Sequence, residues 1–393
     1  MTLDPAAWLD RPGVRRLLKA LDDDGNQARL VGGAVRDLLL RERPGDLDLA
    51  TVHSPREVIR RLEAAGIKAI PTGIEHGTIT AVSSGTMIEV TTLRADLSTD
   101  GRRATVAFTD DWQGDAARRD FTINALYADP QTGELFDYFG GLDDLGARHV
   151  RFIGEPLQRI AEDHLRILRY FRFHARFGIG EPDADALAAC TARANDLMAL
   201  SRERIADELL KLLALADPTP TVELMIARGL FAPVVPEIKR ADRLAALVAA
   251  ERAAAIPTDP LRRLAALLPP DPVTAEKVAA RLKLSNRAKQ RLGLAADPAL
   301  GASPHRLAYR IGTEGALDRL LLAGRTDDAI AVAAWPIPRL PVGGGDLIAR
   351  GVSQGPDVAR TLRRIEDVWV EAGFPDGVNF EAIVDAAIGK PAP

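Results

Sequence analysis

The sequence predicts an α+β protein in which an N-terminal mixed β-sheet with helices is followed by an all-α remainder. Three features carry this reading. Between residues 67 and 94, the segments IKAI, GTITAVSS and MIEVTTLR are short, rich in β-branched residues and separated by Gly or Ser-Gly turns, as strands of one mixed sheet would be. From about Asp185 onward, Ala, Leu and Arg dominate, and prolines break the pattern into helix-length pieces. With 393 residues, 47% of them hydrophobic, the chain can bury substantial cores in about two to four compact units.

In chain order, residues 13 to 24 read as a short amphipathic helix with Val14, Leu17, Leu18 and Leu21 on one side. The stretch LVGGAVRDLLLRERPGDLDLAT, residues 30 to 51, follows. An apolar run ends in Gly32-Gly33, a helix begins with Arg36 on its first turns, and Asp46 and Asp48 then alternate with Leu47 and Leu49. In a strand, alternate side chains share a face, so both carboxylates point one way and both leucines face the core. Paired carboxylates can hold Mg²⁺ through oxygen, and exposed N–H groups at a helix start can hold phosphate. Taken singly, a Gly-Gly turn and an Asp/Leu alternation are ordinary features. Within one strand-turn-helix-strand unit they suit nucleotidyl transfer from a nucleoside triphosphate.

SPREVIRRLEAAG next predicts a helix, with Ser54 as N-cap, Pro55 at the first helical position and Gly66 at the end. In the last predicted strand, Glu89 lies between Ile88 and Val90 and points opposite to both. It is either a third carboxylate beside Asp46 and Asp48 or a solvated strand residue. Residues 94 to 115 are polar and charged, which predicts a mobile loop flanking the site. The spacing of Phe121, Ala125 and Leu126 then predicts a helix over 117–129. Arg119 near its start is suited to phosphate, and Asp120 and Asn124, one turn apart, to ribose hydroxyls; helix-capping charges are the plainer alternative. A hairpin and short linker close the first domain near residue 150.

From Pro156 the pattern is helical. At about 100° per residue, Arg169, Arg172 and Arg176 share a face with Arg166, while Ile160, Ile167, Leu168, Phe171 and Ala175 face the other way. This predicts an arginine ridge turned towards something anionic. Asp163 precedes Arg166 by three residues. A carboxylate only accepts hydrogen bonds and a guanidinium only donates them. Cytosine and adenine both set an amine donor beside a ring-nitrogen acceptor, so the pair would take C or A. Uracil and guanine would leave groups unpaired, at about 1–3 kcal/mol for each buried group. An i,i+3 salt bridge is the alternative.

The helical remainder shows no clear internal repeat. Lys277, Arg281, Lys283, Arg287, Lys289 and Arg291 form a local basic cluster suited to an RNA backbone or to solvent. Overall, 51 Lys and Arg against 55 Asp and Glu give a net charge of −4, which argues against indiscriminate nucleic-acid binding. One cysteine, Cys190, excludes an intrachain disulfide framework and a Cys-rich zinc site. The six histidines never form an HD pair or HExxH spacing, which argues against a histidine-based metal hydrolase. No apolar stretch has the form of a signal peptide or membrane span, so a soluble cytoplasmic protein without membrane association is expected.

GGAVRD, DLDLAT, RRDFTINALY and EDHLRILRYFRF, in this order, together resemble the class II nucleotidyltransferases that mature tRNA 3′ ends, the CCA-adding enzymes and bacterial poly(A) polymerases. The motifs lie within residues 28 to 178, and the helical remainder is similar only in general character. The resemblance implies a catalytic palm domain over 1–150, a helical neck that reads the base and binds RNA over 151–216, and a tRNA-binding body and tail over 217–393. It implies that Asp46 and Asp48 hold catalytic Mg²⁺ and that Gly33, Arg36 and Arg119 contact the triphosphate; the residue pattern alone adds Gly32 as a nucleotide-binding candidate and Glu89 as a catalytic one. It further implies that Asp163 and Arg166 read the base, supported by Arg169 and Arg172; Asp120 and Asn124 at the nucleotide remain a reading of the residue pattern. The expected substrates are CTP, ATP and the tRNA 3′ end, with no protein partner evident. The C-terminal GFPDGVNFEAIVDAAIGKPAP lacks an extended basic region, which favours tRNA as acceptor over poly(A) addition to mRNA. The segment 94–115 resembles one associated with adding the final A, which favours full CCA over CC-only or A-only addition. A non-catalytic RNA-binding relative is the remaining alternative, and the Asp46/Asp48 pair counts against it.

Overall fold

The computed structural model describes residues 2–22, 25–100, 103–301 and 303–389. Helix α1 spans Ala6–Leu9 and α2 spans Val14–Leu21, and the latter buries the four apolar residues that share its face. Asp23 and Asp24, the last residues of the predicted helix, lie outside the described residues. Strand β1 (Ala28–Val31) leads through Gly32 into α3 (Gly33–Leu39), and β2 (Leu47–Thr51) follows. Helix α4 (Pro55–Ala64) has the predicted cap, with the Ser54 side chain accepting from the Glu57 N–H. Strands β3 (Lys68–Gly73), β4 (Thr78–Ser83) and β5 (Thr86–Thr92) are the three predicted β-branched segments.

Residues 94–115 are not the predicted loop. Strands β6 (Arg94–Asp100) and β7 (Arg103–Phe108) form an antiparallel hairpin, and α5 (Trp112–Ala117) follows; Gly101 and Arg102 lie outside the described residues. Charge and polarity suggested a loop, but a two-stranded ribbon can carry polar residues on both faces. The predicted helix over 117–129 is also absent. Thr122–Asn124 is a single 3₁₀ turn, and Leu126–Ala128 is β8, paired antiparallel to β1 with Leu30 opposite Ala128. Apolar residues in a short window fit both periods, and pairing with a buried neighbour strand decided between them. Strand β9 (Leu135–Asp137) then pairs antiparallel with β8.

Seven strands make one sheet in the order β3-β4-β5-β2-β1-β8-β9. The β2–β5 pairing is parallel and the other pairings described are antiparallel, so the sheet is mixed as predicted. Leu30, Val31, Leu47, Leu49, Ile88 and Val90 from its central strands are buried.

Helices follow to the end of the described chain: α6 (Gly141–Gly146), α7 (Pro156–Glu162), α8 (Arg166–Phe177), α9 (Ala184–Ala192), α10 (Arg202–Leu213), α11 (Thr219–Ala227), α12 (Asp242–Ala253), α13 (Pro260–Leu267), α14 (Pro272–Arg281), α15 (Asn286–Ala295), α16 (Pro304–Leu322), α17 (Thr326–Ala333), α18 (Gly344–Ala349), α19 (Pro356–Glu371) and α20 (Gly377–Ile388). The C-terminal stretch singled out in the sequence ends in residues 390–393, which lie outside the described residues.

The chain divides into two compact units, residues 1–209 with 227–234, and residues 210–226 with 235–393. In the second, Glu251, Arg262, Arg263 and Asp318 are buried and tied together. Arg262 bridges Glu251 and Asp318 at 2.7 and 2.8 Å, and Arg263 reaches Glu251 at 2.8 Å. The basic cluster beginning at Lys277 is in part internally neutralised. Arg281 forms a two-pronged pair with Glu237, and Arg291 pairs with Asp259, Glu314 and Asp318.

Candidate active site

Asp48 on β2 and Glu89 on β5 are register partners across the parallel pair. Side chains at such positions stand on one face of the sheet. Leu47 and Leu49, of opposite parity, are buried, as the alternation requires. Burial, then the neighbouring charges of Glu89 and Asp46, push the Asp48 carboxyl up to about 6; Arg119 opposes them. Asp46 lies just before β2 and is exposed, so it acts on Asp48 through its field.

The turn after β1 depends on glycine at one position. Gly32 has φ +65° and ψ −122°, a conformation that L side chains avoid, and a Cβ there would lie 3.4 Å from Arg119 Nη1. Arg36, one turn into α3, is buried. It donates to Asn124 Oδ1 and, at 2.7 Å, to Asp37, and its guanidinium lies 4.1 Å over the Phe177 ring. Asn124 in turn donates to Asp120 at 2.9 Å. The pair predicted to share a helix face therefore meets across a 3₁₀ turn.

Asp120 also accepts from Arg169 at 2.8 Å and from the Phe121 N–H at 2.9 Å. Burial alone would raise its pKa; Arg169 and these hydrogen bonds overcome that and hold it below the ordinary range. Arg172 bonds Glu208 at 2.6 Å, and Arg176 reaches Glu42 at 3.2 Å. The anionic surface facing much of the predicted arginine ridge is therefore the protein itself.

Asp163 and Arg166 do not sit on one continuous helix. Asp163 is extended (φ −151°, ψ 106°) in the break between α7 and α8. Its Oδ1 accepts from the Leu165 N–H at 3.1 Å and its Oδ2 from Arg204 of α10 at 2.7 Å. Arg166 donates to Glu162 and to the carbonyls of Arg159 and Arg118, the latter two at 2.9 and 3.0 Å. Three of its five N–H donors are used. A carboxylate keeps further lone pairs after two such bonds, so both groups retain hydrogen-bonding capacity.

One cleft of about 530 Å³ unites these groups. Gly32, Gly33, Arg36, Asp48, Glu89, Arg119, Asp120, Asn124, Asp163, Arg166 and Arg169 all line it, together with Val31, Thr78, Thr91, Arg94, Arg118 and Phe173. Of the acidic pair and the arginine ridge singled out in the sequence, Asp46, Arg172 and Arg176 stand outside this lining.

The family model "Poly A polymerase head domain" matches residues 28–151, and "Probable RNA and SrmB- binding site of polymerase A" matches residues 181–242. The mitochondrial CCA tRNA nucleotidyltransferase 1 of Mus musculus is 35% identical over 382 residues, 92% of this chain and 87% of that one. The chain belongs to the CCA-adding tRNA nucleotidyltransferases. A CCA-adding enzyme of Staphylococcus epidermidis is 39% identical over 202 residues, about half of each chain. The Bacillus stearothermophilus CCA-adding enzyme, solved in complex with CTP, superposes with TM-score 0.74 at 29% identity, over 94% of this chain and 95% of that one. CCA addition to tRNA is the activity of this family, the chain is a nucleotidyltransferase, and enzymes of the family generally use a divalent metal ion. Among the described residues, no helix is long and apolar enough to cross a membrane.

Sequence reasoning about this nucleotidyltransferase missed Arg204 and Glu208, which reach Asp163 and Arg172 from another helix. Their spacing in RERIADELLKLL puts them one turn apart, but nothing local marks their distant partners. It also missed Asp115 and Tyr127, which hold Arg119.

Proposed function

We propose that this chain adds C, C and A in turn to the 3′ end of tRNA, taking CMP and AMP from CTP and ATP and releasing pyrophosphate. The observation that supports this most is the single cleft bordered both by Asp48 and Glu89 and by Asp163 and Arg166. In this reading residues 1–150 are the catalytic palm, 151–216 a base-reading neck, and 217–393 a tRNA-binding body and tail.

Asp46 and Asp48, with Glu89 alongside, would hold Mg²⁺. The donor set is all oxygen, as a hard cation prefers; burial first, and then the neighbouring charges of Glu89 and Asp46, raise the Asp48 pKa, and a bound cation would offset both. Among the described residues no three His, Cys, Asp or Glu side chains are gathered to hold a metal by themselves. Mg²⁺ binds through one or two carboxylates and completes its shell with water and substrate phosphate, so Asp46 and Asp48 are the ligands proposed here and Glu89 acts through its charge. Bound there, it would supply charge neutralisation for the attacking and leaving oxygens.

Gly32 and Gly33 leave room beside Arg36 and Arg119 for the triphosphate, and the two guanidiniums bind and orient it. Asp163 accepts from the exocyclic amine of cytosine or adenine, and Arg166 donates to the adjacent ring nitrogen. Arg169 and Arg172, held by Asp120 and Glu208, support them from the same helix as Arg166. Asp120 holds Asn124, which leaves one Asn124 amide N–H for the ribose. The tRNA 3′-hydroxyl attacks the α-phosphate, and no side chain forms a covalent intermediate. Free, buried Cys190 accords with a reducing compartment, and we place the protein in the cytoplasm.

Incubation with Mg²⁺, all four triphosphates and tRNA lacking its 3′ CCA tests the proposal, with the products sequenced. CCA ends are expected. CC or A alone, or a run of A, would replace it with the corresponding partial or polyadenylating activity, and no incorporation would leave an RNA-binding role.

A further inference from the structure

Arg119 is held along one edge of its guanidinium and open along the other. Its Nε donates to the Tyr127 hydroxyl at 3.2 Å and its Nη2 to Asp115 Oδ2 at 3.0 Å. The Tyr127 hydroxyl in turn donates to the same Asp115 oxygen at 2.7 Å, closing a three-membered ring of hydrogen bonds. Asp115 Oδ1 is taken by Arg118. Nη1 is the end left over: it lies against the Gly32 turn, 3.4 Å from where a Cβ would stand, and both Arg119 and Gly32 line the cleft.

We propose that Asp115 and Tyr127 are positioning residues that fix Arg119 so that Nη1 meets the incoming nucleotide at the Gly32 turn. This rests on the reading of Arg119 as a triphosphate contact. A guanidinium offers five donors in a rigid planar fork, so fixing two nitrogens on one edge also fixes the direction of the third. Neither anchor belongs to the cleft lining. Asp115 lies on α5 and is 1% exposed, and Tyr127 lies on β8 and is 0% exposed. Tyr127 is itself immobilised edge-on against Trp112 and Tyr138, with ring centroids 5.6 and 6.1 Å away. Burial, opposed by Arg119 and reinforced by Asp115, raises the Tyr127 pKa, so the hydroxyl keeps the proton it donates. A plainly structural role would hold α5 against β8 but would not direct a donor into the cleft.

The test is a double-mutant cycle on the full-length enzyme with CTP, ATP and tRNA lacking its final nucleotides. Tyr127→Phe removes one hydroxyl and leaves the ring packing. It is expected to raise KM for both nucleotides and the inhibition constant of pyrophosphate by the same factor, about five-fold for one hydrogen bond, with kcat within about two-fold. In an Arg119→Ala background the same substitution should have no further effect on either constant. An equal further rise in that background, or a change confined to kcat or melting temperature, overturns the positioning role. Arg119→Ala with unchanged KM and pyrophosphate inhibition would instead remove the triphosphate assignment, and the proposal with it. Asp115→Asn keeps the shape but not the charge and should act like Tyr127→Phe, with a larger factor. Circular dichroism of each variant establishes that it is folded.

Discussion

Asp48 and Glu89 are register partners on two parallel strands, and burial, reinforced by the charge of Glu89, holds Asp48 up to about pKa 6. The sign of the effect on stability follows. The folded-state pKa lies above the ordinary 3.8, so the folded protein binds more protons than the unfolded chain between about pH 4 and 6, and stability falls as pH rises through that window. Asp48→Asn removes the ionised form. It is expected to stabilise the metal-free protein by about 1 kcal/mol above pH 6, allowing for solvent screening of a half-buried group, with the gain fading towards pH 4. The same substitution should abolish nucleotide incorporation and leave tRNA affinity nearly unchanged. Denaturation in chelator at pH 7.5 and pH 4 checks the first half; a loss of stability at pH 7.5, or substantial residual turnover, would refute the role assigned to Asp48.

The Asp163–Arg204 pair gives a second test. If Asp163 accepts from the base, Asp163→Ala relaxes base choice, and misincorporation of U and G rises by about ten-fold or more, the worth of one unmet buried hydrogen bond. Arg204 touches the carboxylate and does not line the cleft, so Arg204→Ala should raise misincorporation less. Added to Asp163→Ala it should change nothing further. Both side chains are partly exposed, so little stability should be lost. Single-nucleotide incorporation with each triphosphate reads the result, and unchanged discrimination in Asp163→Ala would sink the base-reading role.

Much of this site was legible in the chain because it is local. The Gly32-Gly33 turn, the Asp48 parity and the caps of α4 are set by residues a few positions apart, and the structure places them as the sequence implies. What could not be read depends on long-range pairing. The segment around Leu126 fits a helix until β1 offers it a partner, and the apparent helix through Asp163 breaks where the carboxylate turns towards Arg204, 41 residues away. The arginine ridge was visible as a face, but that Asp120 and Glu208 neutralise much of it is a fact of tertiary structure.

Asp120 titrates in the opposite sense to Asp48. Its folded-state pKa is depressed, so its contribution to stability is present above the ordinary carboxylate range and is lost as pH falls through the folded value. Asp120→Asn leaves Arg169 facing an uncharged partner and should cost about 2 kcal/mol at pH 7. The deficit relative to the unsubstituted protein should narrow as the pH is lowered below 4. Urea denaturation across pH 3 to 7 measures it, and a deficit independent of pH would show that the Arg169 pair is not its source.

Within the second unit, the weight of an ion pair should follow its burial. Glu251 is 1% exposed and accepts from Arg262 and Arg263, themselves 5% and 1% exposed. Glu251→Gln keeps the shape and removes the charge, leaving Arg263 without the carboxylate its Nε faces. Breaking a buried pair from one side typically costs about 3–5 kcal/mol, because the remaining charge cannot return to water. The Arg281–Glu237 pair is two-pronged but stands nearer the surface, and Arg281→Ala should cost under about 1 kcal/mol. Neither residue lines the nucleotide cleft, so KM for CTP and ATP, measured where both variants are folded, should stay unchanged. Comparable losses of stability from the two substitutions would mean that burial does not set the strength of these pairs.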